Sequence, residues 1–239
     1  MSTNISAAIH QPHYFPWIPY INKLASVDIF IIFDTVQLPM GKSKVLRTKY
    51  IDHGMERWLS IPFGKKGSFV PIKDVKLGDL MWKKTHVDKL MNAYGKSLHA
   101  RWAMDLVHDC LWSGKSYFLV DIEHDILEKL CLALNIKTRL VRASELIKYE
   151  KMSLQKYIVS LLDVVGADTY LSGTNTGSLK SIDESLFRSK GKKIIYQDYM
   201  IPHYRHLNTT KEFTPTVSIL DTLFTCGPVA RYHVYRAKT

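Results

Sequence analysis

Residues 10 to 17 read His10-Gln11-Pro12-His13-Tyr14-Phe15-Pro16-Trp17. So many imidazole, amide and aromatic groups in one short segment exceed what packing alone requires. Aromatic rings there can stack on a base or a sugar while His and Gln make hydrogen bonds. The plainer alternative is an aromatic turn that plugs the end of a sheet. His10 and His13 are the candidate acid–base groups, because only imidazole titrates near neutrality without special tuning. His13 lies further into the segment and is the better placed of the two. Asp34 is the third catalytic candidate, either as a general base or, more plainly, as a loop or capping carboxylate. Gln11, Tyr14, Trp17 and Gln37 are the groups expected to position a substrate.

Two further segments point to anions. Arg47 lies in the basic run Lys42-Ser43-Lys44-Val45-Leu46-Arg47-Thr48-Lys49, and its planar fork suits a carboxylate or a phosphate. Ser172-Gly173-Thr174-Asn175-Thr176-Gly177 brings two glycines together with hydroxyl and amide donors. Gly173, Thr174 and Asn175 can make a backbone nest for an anion, or simply a turn. No Lys-Ser or Lys-Thr closes the segment, so it is not a Walker loop. His203 and His206 repeat the spacing of His10 and His13, yet no Cys pair or acidic neighbour completes a recognisable metal set, and none is assigned. Cys110 and Cys131 fall on helical stripes and read as core thiols; Cys226, beside Gly227, reads as the one in a loop. Three scattered cysteines without a Cys-x-x-Cys suggest reduced thiols in a cytoplasm.

These groups need elements to position them. Ile5–Ile9 reads as a buried first strand that delivers His10 at its carboxyl end, where open α/β sheets place ligands. Residues 16–24 have helical spacing, with prolines where a first turn tolerates them. Ile29–Phe33 is a nearly continuous apolar run, expected as a central strand covered on both faces. Arg47–Ile51 and Arg57–Phe63 flank Asp52-His53-Gly54, a hairpin signal. Helical periodicity then takes over, in a stripe of Val87, Leu90, Met91, Tyr94 and Leu98 and another of Ile122, Ile126, Leu127, Leu130, Cys131 and Leu134. Strands at 138–141, 169–172 and 193–196 alternate with a helix over 154–165, and a last helix covers 217–224 before a Gly-Pro stop. The expected fold is α/β: a mainly parallel, Rossmann-like sheet with a β-hairpin and a helical insertion at about 80–135, in one domain spanning 1–239.

The 239 residues carry 33 Lys and Arg against 22 Asp and Glu, a net charge of +11. That field favours anionic partners such as nucleotide sugars, nucleic acid or anionic membrane surfaces. Lys65-Lys66 and Lys83-Lys84 add to it, although a solvated basic surface is the bland account. No stretch is long and apolar enough to predict a transmembrane span, and no secretory signal is visible at the start.

Gln11-Pro12, Tyr14-Phe15-Pro16-Trp17, Tyr20 and Asp34-Thr35-Val36-Gln37 closely resemble the opening motif of the WbqC-like family. The likeness continues through Arg47, Trp58-Leu59-Ser60-Ile61-Pro62, Tyr170-Leu171-Ser172-Gly173, Tyr196-Gln197-Asp198-Tyr199 and Pro215-Thr216-Val217-Ser218-Ile219-Leu220-Asp221. It departs where the family has Trp-x-Asn-Arg and this chain has Lys44-Val45-Leu46-Arg47, so the substrate contacted there is expected to differ. The family occurs in O-antigen and related polysaccharide clusters. The resemblance implies a cytoplasmic enzyme that transfers an acyl or aminoacyl group to an amino or hydroxyl group of a sugar, itself nucleotide-linked. The activated donor stays open among a thioester, an acyl-adenylate and an aminoacyl-tRNA; tRNA is accordingly a possible nucleic-acid partner.

The opening strand, turn, helix and strand are also similar, more weakly, to the nucleotidyltransferase and class I synthetase superfamily. Its His-x-Gly-His signature is replaced here by Tyr14-Phe15-Pro16-Trp17, which argues against ordinary adenylyl transfer. Two rival readings stand beside the transferase: a nucleotide- or nucleic-acid-binding protein of that fold, and a non-catalytic scaffold of a polysaccharide assembly.

Overall fold

The computed structural model describes residues 4–39, 43–63, 70–149, 152–180, 182–201, 203–207 and 216–235; Lys42, Lys65, Lys66 and Pro215 lie outside them. Five strands build the main sheet: β1 (Ser6–His10), β2 (Ile29–Ile32), β5 (Arg139–Arg142), β6 (Thr169–Ser172) and β7 (Lys193–Tyr196). Their order is β5-β2-β1-β6-β7, and every pairing is parallel. The chain starts at the centre of the sheet, builds outward through β2 and β5, then returns to the other side of β1 for β6 and β7. The direction of winding therefore reverses between β1 and β6, and open α/β sheets bind ligands beyond the carboxyl ends of the strands at such a point.

Side chains alternate between the two faces, as a strand's period of two requires. Ala8, Phe30 and Ile32 enter one apolar core, with Tyr20, Ile21 and Leu24 of α1 (Ile18–Ala25). Ala7, Ile9, Ile29 and Ile31 enter the other, with Tyr157, Ile158 and Leu161 of α6 (Leu154–Val164). Burial on both faces is why Ile29–Ile32 reads as an unbroken apolar run.

Everything between β2 and β5 is one long crossover. It contains the antiparallel hairpin β3 (Arg47–Asp52) and β4 (Met55–Ser60), then α2 (Met81–Tyr94), α3 (Ala100–Trp112) and α4 (Leu119–Leu134). His53 and Gly54 both have positive φ (46° and 78°), the conformation that lets a two-residue turn follow the twist of its strands. β4 stops at Ser60, short of the expected Phe63; Pro62 has no N–H to extend the ladder.

The first helical stripe needs correction. Met91 is 50% exposed, and Leu98, 91% exposed, lies beyond the end of α2. The buried face is instead Trp82, His86, Leu90 and Tyr94, four residues apart, so an imidazole occupies a core position. The second stripe is buried throughout, on α4.

Beyond β5 come the short α5 (Ala143–Leu146), then α6 and β6, then α7 (Thr176–Lys180) and α8 (Glu184–Ser189) before β7. The chain closes with α9 (Ile219–Cys226) and α10 (Ala230–Tyr235), the latter beyond the expected stop at Gly227. Gly227 does end α9, at φ 59°, and a Cβ there would meet the His99 ring at 2.4 Å. Cys226 is the last residue of α9, not a loop residue. Asp221, fully buried on α9, accepts hydrogen bonds from Tyr94 (3.0 Å), Tyr204 (2.8 Å) and His206 (2.5 Å), tying the closing segment to α2. Among the described residues no helix is long and apolar enough to cross a membrane.

Candidate functional site

A cavity of about 490 Å³ opens where β1 and β6 end. His10, Gln11, His13 and Trp17 line it from the β1–α1 loop, and Asn175, Gly177 and Ser178 from the β6–α7 segment. Phe33 and Lys44 complete the rim, and Ile158 and Tyr170 form part of the apolar floor. Among the described lining residues there is no carboxylate.

The β1–α1 loop is held rigidly. Phe15 has φ 39°, an unfavourable value for a residue with a bulky side chain. Such a conformation persists only where its surroundings over-determine it. Phe15 is fully buried, and Thr48 Oγ1 donates to its carbonyl at 2.8 Å. On either side, Tyr14 N donates to the Lys44 carbonyl (3.1 Å) and Ile219 N to the Pro16 carbonyl (2.7 Å). Hairpin, loop and α9 thereby fix the positions of His13 and Trp17.

Inside the cavity, His10 and His13 meet edge to face with ring centroids 4.8 Å apart, and His13 stacks on Tyr20 at 5.0 Å. His10 Nδ1 lies 2.9 Å from the Gln11 carbonyl, which can only accept, so Nδ1 carries the proton and Nε2 the lone pair. Burial, then the nearby charge of Lys23, pushes His10 down to about 3. Burial first, then His10 and Lys44, holds His13 well below the usual imidazole range. Both rings are neutral at pH 7. Lys44 stands 3.8 Å over the Trp17 ring and is lowered to about 8, chiefly by burial. Lys23, almost wholly buried, donates to the Ile9 carbonyl (3.3 Å) and is likewise lowered to about 8 by burial. The described lining thus holds one cation, Lys44, and two neutral imidazoles, with Lys23 buried behind it against the Ile9 carbonyl.

The other candidates fall elsewhere. Tyr14 is buried beneath the loop and touches only a crevice of about 10 Å³. Its hydroxyl donates to His86 Nδ1 (2.9 Å), because His86 Nε2 faces the Ser60 carbonyl (3.2 Å) and must hold the ring proton. Tyr14 anchors the loop to α2. Arg47 lies against Trp58, its guanidinium carbon 4.1 Å from the ring centre, and does not line the cavity. Gln37 is exposed and pairs with Pro71. Gly173 is buried behind Ser178, whose Oγ a Cβ at Gly173 would meet at 2.9 Å, and Thr174 is exposed. Of the anion-nest residues, only Asn175 lines the wall.

Asp34 belongs to a second cavity, of about 660 Å³, over the ends of β2 and β5. Its carboxylate accepts from Ser144 N (3.0 Å) and Ser144 Oγ (2.5 Å). Burial raises its pKa, and the Ser144 hydrogen bonds oppose that rise. Sequence reasoning did not single out Lys23 or Ser178, and it counted Lys44 only within a basic run. Nothing in a sequence shows that a lysine on an apolar helix face is buried beneath a strand end.

The WbqC-like family matches residues 11–233, from the imidazole-bearing loop to α10. The chain belongs to the WbqC-like family. Membership ties it, in general terms, to polysaccharide and O-antigen biosynthesis. Over 226 residues, 93% of this chain and 94% of the relative, it is 28% identical to the uncharacterized protein Rv1507c of Mycobacterium tuberculosis. No solved structure matches. The family match takes in every residue of the first cavity except Ile9 and His10.

Proposed function

We propose that this WbqC-like protein is a transferase that moves an acyl or aminoacyl group onto an amino or hydroxyl group of a nucleotide-linked sugar. The observation that carries this reading is a cavity at the sheet's switch point whose described lining has one cation, Lys44, backed by the buried Lys23, two neutral imidazoles and no carboxylate. Family membership supports the polysaccharide context. The diphosphate of the acceptor is held by Lys44, with the buried Lys23 adding to the field, and the base or sugar stacks on Trp17.

His13 acts as the base. It takes a proton from the acceptor's amine or hydroxyl, and the freed lone pair attacks the acyl carbonyl. The new C–N or C–O bond forms as the bond to the leaving group breaks, and His13 returns the proton to that group. The Asn175 amide is suited to donate to the carbonyl oxygen as charge develops there. A bound phosphate beside His13 raises the imidazole's proton affinity from its depressed value, so substrate binding itself improves the base.

The test has two stages. Nucleotide sugars and pyrophosphate are screened by thermal shift, where ligand at a hundredfold its Kd adds about 2.7 kcal/mol of apparent stability. Amino-sugar nucleotides that bind are then incubated with acyl thioesters, acyl-adenylates and aminoacyl-tRNA, and the acceptor is weighed by mass spectrometry. An acceptor that gains an acyl mass, and does not gain it with His13→Gln, supports the reading. Failure of every anion to bind, or no mass gain with any donor, overturns it.

A further inference from the structure

The second cavity differs from the first in its chemistry. It opens over β2 and β5 and is separated from the first at Phe33 and Asp34, neighbours in sequence that line opposite cavities. The partition is aromatic: Phe33 stacks on Tyr157 (5.9 Å) and Tyr157 meets Tyr149 edge to face (4.6 Å), so three rings run from one cavity to the other. Where the described lining of the first has one cation, Lys44, and no acid, that of the second has Lys73, Arg142 and Lys148 against Asp34, Asp74 and Asp121. Lys73 pairs with Asp74 (2.8 Å), Arg142 pairs with Asp121, and Asp34 is engaged by Ser144. Equal numbers of both signs leave little net field for a phosphate, yet they present alternating donors and acceptors. Tyr149 and Phe118, both substantially exposed, supply flat apolar faces on the same wall.

Alternating hydrogen-bonding groups beside an exposed ring suit a saturated ring with hydroxyls on its rim and C–H bonds on its face. We propose that the cavity walled by Asp121, Arg142 and Tyr149 binds a neutral, polyhydroxylated sugar ring, as a site separate from the anion cavity. This rests on the two-substrate transferase reading above and adds to it where the uncharged part of a substrate sits. Losing the Tyr149 face is expected to weaken binding about two- to tenfold.

The experiment is ligand-observed NMR on the full chain at pH 7.5, with a panel of neutral sugars (glucose, galactose, rhamnose and N-acetylglucosamine) and, separately, inorganic pyrophosphate. The expected result is that at least one sugar binds the wild type and that Tyr149→Ala, a change at an exposed ring, weakens it about two- to tenfold. Tyr149→Phe retains the ring and the binding, and saturating pyrophosphate does not displace the sugar. Pyrophosphate binding with no sugar binding overturns the proposal and leaves the transferase reading standing. A sugar displaced by pyrophosphate, or indifferent to Tyr149→Ala, also overturns it. If neither probe binds, the transferase reading fails and this proposal with it.

Discussion

His13 stands edge-on to His10, the ring centres 4.8 Å apart, in a cavity whose described lining residues offer neither ring a carboxylate. Two imidazoles this close cannot both be protonated cheaply, and each lowers the other's proton affinity. The first expectation is therefore kinetic. In the free protein both remain unprotonated well below pH 6.5, so kcat/KM holds through mild acid and falls only below the ordinary histidine range. His13→Gln is expected to lower turnover by about 10²–10⁴ without unfolding the protein. A pH–rate profile of wild type beside His10→Gln and His13→Gln checks both points. A loss under tenfold from both variants would exclude imidazole catalysis, and an acid limb centred at 6.5 would show that the catalytic imidazole is not depressed in the free protein.

Acid stability follows from the same depressed values. Burial sets His10 at about 3 and His86 at about 4, and holds His13 well below 6.5. In the unfolded chain each takes its proton near pH 6.5, so the unfolded state binds more protons below that point. The stability they contribute is complete above pH 6.5 and is lost as pH falls toward the folded values. Each imidazole costs about 1.4 kcal/mol per pH unit through that window. Urea midpoints at pH 8, 6.5, 5.5 and 4.5 measure it. Pyrophosphate is expected to flatten the curve by letting His10 and His13 charge inside the cavity, with proton uptake on binding as the calorimetric sign.

Glu123 on α4 is fully buried, and neither carboxylate oxygen has a hydrogen-bond partner among the described residues. Burial raises its pKa well above the usual carboxylate value. Its folded form favours the proton, so its contribution is best below pH 4.5 and is lost as pH rises through the raised value. Glu123→Met removes an unsatisfied buried group at similar volume and is expected to raise stability by about 1–3 kcal/mol at pH 7.5. Denaturant unfolding of the two proteins decides it; a less stable variant would mean that Glu123 is satisfied in solution.

Arg47 outside the first cavity gives a different expectation from an anion clamp. Its contact with Trp58 contributes about 0.5–2 kcal/mol. Arg47→Ala is expected to lower stability by that amount and leave pyrophosphate affinity within twofold; Arg47→Lys recovers part of the stability, since an ammonium does not stack as a planar fork does. Titration calorimetry beside a melting curve separates the two effects. A tenfold loss of affinity without a change in melting would restore Arg47 to the site.

Much of the frame is written in local patterns. Ile29–Ile32, Thr169–Ser172 and Lys193–Tyr196 are short, β-rich runs between breakers, and each is a sheet strand. Strands that alternate with helices dictate parallel pairing, and the segment after β1 had to emerge at a carboxyl edge. What each loop residue faces is not so written. Tyr14 and His13 are adjacent, yet one enters the core and the other lines the cavity. His86 is hidden too: a polar residue on a buried face breaks the apolar count, and its partners Tyr14 and Ser60 lie far away in sequence. Pairing of β1 with β2 brings Asp34 to the same edge of the sheet as the loop. The Phe33–Tyr157–Tyr149 wall, which parts the two, comes from three separate segments.

The first cavity joins the end of β1 to the end of β6, strands separated by roughly 160 residues of intervening chain, and β2 must wait for roughly a hundred before β5 joins it. The pairing of β1 with β2 across a short helix is the natural early event, whereas the β1–β6 contact comes late in any folding route. The cavity is consequently absent from every partly assembled form that lacks β6. Anion binding in a refolding experiment would then mark the arrival of the finished sheet, lagging behind the recovery of helical circular dichroism.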